Sequence, residues 1–295
     1  MQDTVTEQQD TPEEQQDTPE EQQRGALSRK LGGIFASKFV IPVVVVLGVF
    51  FLFPSFWGGF KTDDLIHRAY LQGSDELYAK GYVHAKPGIE AGYAIKHFFT
   101  FFDPNIEGHI ESQKQYGTVP WWIYDRVKLS FFRPVSAFTH WLDYQLWPNS
   151  PEMMHLQNLI WLAGWLLVVA VLYRRFIGAV PAAGLAATMF MLDWSYALTV
   201  GWLANRNALI ATTLGLLTLL LHDHWRKQKS IKYAVATQVV FLITLLSAEA
   251  GLAITAYLFA YAVCLEEGNW WQRLRTLIPA FAITLCWRIV YVLMG

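Results

Sequence analysis

From Phe39 to Phe56 the chain runs eighteen residues without a charged side chain, carried by Val43–Val46 and Phe50–Phe53. A helix crosses the apolar part of a bilayer in about 20 residues, so a run of this length and purity reads as a membrane span. A helix on a water-soluble core needs only one apolar stripe. Composition extends the same reading to the whole chain. It is 54% hydrophobic and 16% charged over 295 residues, against about 25% charged in an average soluble domain. A compact particle of this size cannot hide that much apolar surface from water, so lipid must cover part of it. The net charge of −1 excludes a nucleic-acid binder that works through a basic field. Two cysteines, Cys264 and Cys286, are too few for a disulfide framework or a cysteine metal cage. In apolar segments they read as buried small hydrophobes.

Polar sequence flanks the first apolar run. Residues Met1 to Arg24 repeat TPEEQQ(D/R) from Thr11 and from Thr18 with almost no apolar side chains. Such a segment cannot offset its conformational entropy by burial and is expected to be a disordered tail. Residues 1–38 form that tail and a basic flank (Arg24, Arg29, Lys30 and Lys38), which places the N-terminus in the cytoplasm by the positive-inside rule. Residues 39–295 form one membrane domain, all-α and polytopic, expected in the cytoplasmic (inner) membrane. Residues 61–154 mix charges with aromatic clusters and are too long for a passive connection. They are expected to be a large outer loop with amphipathic helices over Asp63–Leu71, Gly88–Phe102 and Pro134–Trp147.

After Ser150-Pro151-Glu152, where a hydroxyl, a proline and an acid mark a helix start, the apolar segments come quickly. They cover Leu159–Leu172, Val180–Leu192, Ala208–Leu221, Ala234–Leu246, Leu252–Leu265 and a last one from near Thr276. Alternation puts Arg174-Arg175, Arg226–Lys232 and Arg273/Arg275 on the cytoplasmic side. Asp193, Arg206 and Glu249 fall in outer turns. Every short loop then obeys the positive-inside rule, with seven spans in all. The end at Leu293-Met294-Gly295, still apolar, is what the N-terminal part of a longer protein would show.

Ionisable residues at the edge of a span are costly and usually face a wet cavity or the bundle interior. Asp63-Asp64 directly follow the first span. Thr62 with two acids behind it is a good helix cap. A carboxylate at the membrane–water boundary is also placed to take a proton from a hydroxyl, and two carboxylates are hard ligands for a divalent cation. Arg133 precedes Pro134 and the aromatic stretch Trp141–Trp147, and His155 and Asn158 share one helix face. Arg206 in Trp202–Ala208 and Glu249 in Leu246–Gly251 read either as a structural ion pair or interfacial snorkellers, or as a phosphate-binding arginine with a carboxylate that orients it. Arg288, inside the last span, needs a partner or a cavity. His222-Asp223-His224 lie on a basic cytoplasmic stretch, where i,i+2 side chains diverge, which argues against a metal site.

The order of these groups resembles the polytopic GT-C glycosyltransferases, above all the membrane domains of the transmembrane, tetratricopeptide-repeat O-mannosyltransferases and their uncharacterised bacterial relatives. The likeness rests on Asp63-Asp64, Arg133-Pro134-Val135 with Trp141–Trp147, His155-x-x-Asn158, Asn205-Arg206-Asn207-Ala208-Leu209 and Leu245–Glu249, and it is diffuse over most of the chain after Lys38. Asp193 stands where those relatives carry a histidine-containing turn, the lysine usual before Glu249 is absent, and no tetratricopeptide repeats follow. The resemblance implies transfer of a sugar from a polyprenyl-phosphate donor to an acceptor, protein or glycan, on the outer face. Asp63 would be the base and Asp64 its support or a ligand to a divalent cation. Arg133, Arg206, Glu249, His155 and Asn158 would form the lipid-phosphate and substrate site. The implied partners are this donor, the acceptor and membrane lipid, with no nucleic acid. A non-catalytic scaffold of the same fold is the second reading, and a transporter the third. No inverted repeat supports the transporter.

Overall fold

The computed structural model describes residues 19–73, 95–105, 108–117 and 119–294, and they are almost wholly helical. In chain order the helices are α1 (Pro19–Ala36), α2 (Val40–Leu52), α3 (Thr62–Gln72), α4 (His109–Gln115), α5 (Pro134–Leu146), α6 (Pro151–Ile177), α7 (Pro181–Leu192), α8 (Ala197–Gly201), α9 (Arg206–Gln228), α10 (Ile231–Leu245), α11 (Ile254–Cys264), α12 (Trp270–Arg275) and α13 (Ile278–Met294). Proline stands in the first turn of α5, α6 and α7, where its missing N–H costs nothing. Arg174 and Arg175 occupy the last turn of α6, at the negative end of its dipole, and Gly178 ends the helix with φ +100°.

The stretches Val40–Trp57, Pro151–Ile177, Leu203–Gln228 and Trp270–Leu293 are long and apolar enough to cross a membrane, and Ile231–Leu245 and Glu249–Cys264 are shorter apolar helical segments. The protein is an all-α membrane protein. α6 packs along α2, α7 and α9, and α9 along α10. Val44, Leu162, Leu166, Met191, Val200 and Leu209 fill one half of the core. Phe241, Leu245, Ile254, Leu258 and Trp287 fill the other. The peripheral faces are as apolar as the core: Phe50 is 67% exposed and Phe281 70%, a surface that only lipid can cover at acceptable cost. Cys264 and Cys286 lie on this exposed surface. The expectation that they are buried is therefore corrected: in lipid a small hydrophobe is as well placed outside the bundle as inside it.

The bundle has two unlike ends. At one, Arg175 and Lys227 meet Asp223, and Arg226 meets Glu266. Asp223 is held by Arg175, Lys227 and Tyr261, while His224 bonds back to the Leu220 carbonyl, so the His222–His224 cluster is dispersed. At the other end α3, α5 and the starts of α6 and α9 converge. There Tyr70, Phe98, Phe99 and Ala137 form a separate small core.

Three expectations change in detail. Helix begins at Pro19, so the tail is helical over its last residues, in keeping with Glu, Gln, Arg and Lys as good helix formers; the rest of the tail lies outside the described residues. Of the segment expected as a helix over Gly88–Phe102, residues 88–94 also lie outside them. Its end is a strand, Thr100–Phe102, paired antiparallel with Leu129–Ser130, and the Thr100 and Ser130 hydroxyls are 2.9 Å apart. Thr and Phe fit a pleated, half-buried surface better than a helix. The Ser150 hydroxyl donates to Glu152 at 2.8 Å and does not cap α6.

Close helix packing yields one prediction here. A Cβ at Gly215 would lie 2.6 and 2.8 Å from two side-chain carbons of Ile254. Gly215→Ala should overpack the α9–α11 contact by about 1–3 kcal/mol. Combined with Ile254→Val, its thermal melt should be higher than the two single losses sum to. Additive losses would place the two residues out of contact.

Candidate functional site

The site grows from the first turn of α3. Asp64, at the third helical position, accepts the Lys61 backbone N–H at 2.9 Å on Oδ2. This carboxylate, and not the Thr62 hydroxyl expected from the sequence, caps the helix. Its Oδ1 accepts the Ala204 N–H at 2.6 Å, and the Leu203 N–H points to it as well. Burial pushes its carboxyl up, against the pull of these N–H groups. Asp64 is thus a strut between α3 and the turn that opens α9. Among the described residues no group of three or more His, Cys, Asp and Glu side chains comes together around one point. Thr62 carries the strain of the corner, with φ +26° in a β-branched residue.

Asp63 is one residue earlier and points elsewhere. It is half-buried, makes no hydrogen bond or ion pair among the described residues, and lines a cleft of about 150 Å³ with His67, Phe99, Phe101, Arg133, Trp202, Asn205 and Asn207. Burial holds its carboxyl above the ordinary carboxylate range. Arg133 enters the same cleft from the start of α5. Its Nε donates to Glu249 Oε2 at 2.7 Å, and its guanidinium lies 4.2 Å from the Phe131 ring centroid and 5.2 Å from that of Phe99. The backbone fixes this placement. Val135 N–H donates to the Leu246 carbonyl at 3.1 Å and the Ser136 hydroxyl to the Ser247 carbonyl at 2.8 Å, locking α5 to the turn that carries Glu249. With its amide oxygen turned inward, Asn207 accepts from Arg133 at 3.1 Å.

The remaining expected residues form a different structure. Arg206 is fully buried. Nε donates to Asn158 Oδ1 at 2.7 Å, one terminal nitrogen to Gln157 at 2.8 Å and to Asp143, and the other to the Met154 carbonyl at 2.9 Å. Asn158 in turn donates to the Val200 carbonyl at 2.9 Å, and His155 Nε2 lies 2.9 Å from the Gly59 carbonyl. Arg206, Asn158 and His155 therefore pin α5, α6, α8 and α9 together and do not face the cleft. The expectation that Arg206 holds a phosphate fails for a plain reason: four of its five N–H groups are already spent inside the protein.

The cleft thus unites Asp63 and Arg133, with Glu249 behind the arginine. It also contains residues that the sequence reading did not single out, chiefly His67 and Asn207. His67 sits four residues after Asp63, the spacing that shares a helix face, and that was the available signal. Its ring is buried, and desolvation together with the nearby Arg133 charge lowers its pKa to about 3, so it is neutral at pH 7. No protein-family model, curated protein or solved structure matches this chain.

Proposed function

We propose that this chain is a membrane glycosyltransferase that moves a sugar from a polyprenyl-phosphate donor to an acceptor hydroxyl at the Asp63 cleft. The observation that carries the reading is the pair it contains: a desolvated carboxylate without a partner among the described residues, across a cleft from a fixed arginine, at one end of an apolar helix bundle. Asp63 takes the acceptor proton as the hydroxyl oxygen bonds to the anomeric carbon. The bond from that carbon to the donor phosphate breaks, and its electron pair leaves with the lipid phosphate. Arg133, held in place by Glu249 and two aromatic rings, offers N–H groups where this charge develops. Arg133 takes the role expected for Arg206.

The topology belongs to the same proposal. With Pro181–Leu192 and the two shorter apolar segments, the four long ones make seven crossings. Arg174, Arg175, Arg226, Lys227, Arg273 and Arg275 gather at the end opposite the cleft, which favours that end, and the N-terminus with it, as cytoplasmic in an inner membrane. The scaffold reading draws support from one observation, the burial of Arg206 with four of its five N–H groups bonded inside the protein.

The test is reconstitution of the full chain in liposomes that carry a radiolabelled polyprenyl-phosphate hexose, with label followed into a water-soluble acceptor. Transfer by wild type and a loss of about 10²–10³-fold in Arg133→Gln support the enzyme. No transfer by wild type to either glycan or peptide acceptors, with intact binding of the donor lipid, would favour the scaffold.

A further inference from the structure

His67 has a chemical problem that the fold leaves open. Its side chain is buried, at 3% exposure, and neither ring nitrogen has a hydrogen-bond partner among the described residues. An unsatisfied buried donor or acceptor costs about 1–3 kcal/mol, and here there is one of each on one ring. The neighbours offer no relief: Phe98 lies 4.1 Å away between centroids, Phe99 5.4 Å and His140 5.6 Å. A phenylalanine would fill this place without penalty. What distinguishes the position is empty space on two sides. The ring lines the Asp63 cleft of about 150 Å³, and it also lines a cavity of about 170 Å³ bounded by Phe98, Thr100, Phe101, Phe102 and Gln113.

The chemistry of these spaces selects a ligand. A neutral imidazole presents one N–H and one bare nitrogen, which matches a hydroxyl, itself both donor and acceptor. Four phenylalanines and the Trp202 indole supply apolar faces of the kind that cover the C–H face of a sugar ring, while Thr100, Gln113 and Asn205 add polar edges. At about 30 Å³ per water, the two spaces hold about five and about six waters' worth of volume, enough for the hydroxyl-bearing edge of a sugar ring and too little for a lipid tail.

We infer that His67 is a positioning residue that hydrogen-bonds a hydroxyl of a carbohydrate acceptor, setting it against Asp63, so that the acceptor is a glycan. The role of Asp63 in this statement rests on the transferase reading; the saccharide site does not. The test compares wild type, His67→Phe and His67→Gln as full chains in detergent. Each is titrated with the methyl glycosides of glucose, galactose and mannose and with a serine/threonine peptide, and binding is followed by tryptophan fluorescence. Wild type should bind at least one glycoside. His67→Phe should bind it about tenfold or more weakly while melting at or above the wild-type temperature, because the orphaned nitrogens are gone. His67→Gln, which keeps a donor and an acceptor, should recover part of the affinity. In the transfer assay His67→Phe should raise the KM for acceptor and leave the KM for donor unchanged.

Glycoside affinity unchanged in His67→Phe overturns the inference, as does a wild-type protein that binds only the peptide or none of the probes. Asp63→Asn separates the two readings. If it binds glycoside like wild type and wild type transfers nothing, the transferase reading fails and the saccharide site stands.

Discussion

Asp63→Asn should lower sugar transfer by about 10²–10⁴-fold, the range contributed by a positioned general base, while the protein expresses and melts like wild type. Nothing in the fold depends on the Asp63 carboxylate: it has no hydrogen-bond partner among the described residues, and its helix keeps the Asp64 cap. Its loss removes a favourable dipole contact of about 0.3–1 kcal/mol and also the cost of a desolvated charge, two effects of opposite sign. The neighbouring substitution should behave in the reverse way. Asp64→Asn turns an amide N–H₂ toward backbone N–H groups of Lys61 and Ala204 that now require an acceptor, so the melt should fall by several degrees. A variant pair in which Asp64→Asn lost transfer with an unchanged melt, while Asp63→Asn transferred normally, would exchange the two roles.

The pH profile gives an independent check. Burial raises the Asp63 carboxyl above its ordinary value, and the working form is the carboxylate. Activity is therefore lost as pH falls through the raised value, and the acid limb of kcat should lie above about 3.9, the ordinary aspartate value. His67, with its pKa near 3, stays neutral through this window and contributes no limb of its own. In His67→Gln the acid limb should remain where it is in wild type. A limb that vanished with His67 would transfer the titration to the imidazole.

Much of this was legible in the residues. Apolar run length announced a membrane bundle, and proline with flanking charge marked the starts of α5 and α6. The acidic pair marked the first turn of α3, and Arg133-Pro134 announced the arginine that enters the cleft. What the sequence did not reveal is direction. Asp63 and Asp64 are equivalent in a string of letters, yet the helix rotates adjacent side chains by about 100°, one into a backbone turn and the other into the cleft. Arg206 posed the same difficulty. An arginine at the edge of a span suits a phosphate or a buried carboxylate equally well, and its partners Asp143, Gln157 and Asn158 come from two other helices. The Thr100–Phe102 strand escaped because three residues in an aromatic run carry no period.

Arg206 carries the largest effect on stability. Its guanidinium and the Asp143 carboxylate form an ion pair with both side chains at 0% exposure. Removing one member of a buried pair leaves an uncompensated charge and costs about 3–5 kcal/mol. Arg206→Met should therefore lower the melt in detergent by about 6–20 °C, at about 2–4 °C per kcal/mol for a chain of this size. Arg206→Lys should fall nearly as far. It keeps the charge, but one ammonium cannot reach Asn158, Gln157, Asp143 and the Met154 carbonyl from the directions that a planar fork allows. The double variant Arg206→Met with Asp143→Leu should recover part of the loss, because apolar replacement of both partners removes the stranded charge together with the pair. A structural hub requires this order of melts: wild type highest, the double variant next, and the two single variants below it. A phosphate ligand requires another, in which Arg206→Lys melts like wild type and loses only affinity for the lipid. If the second order were observed, Arg206 would return to the cleft, and the assignment of the phosphate to Arg133 would have to be withdrawn.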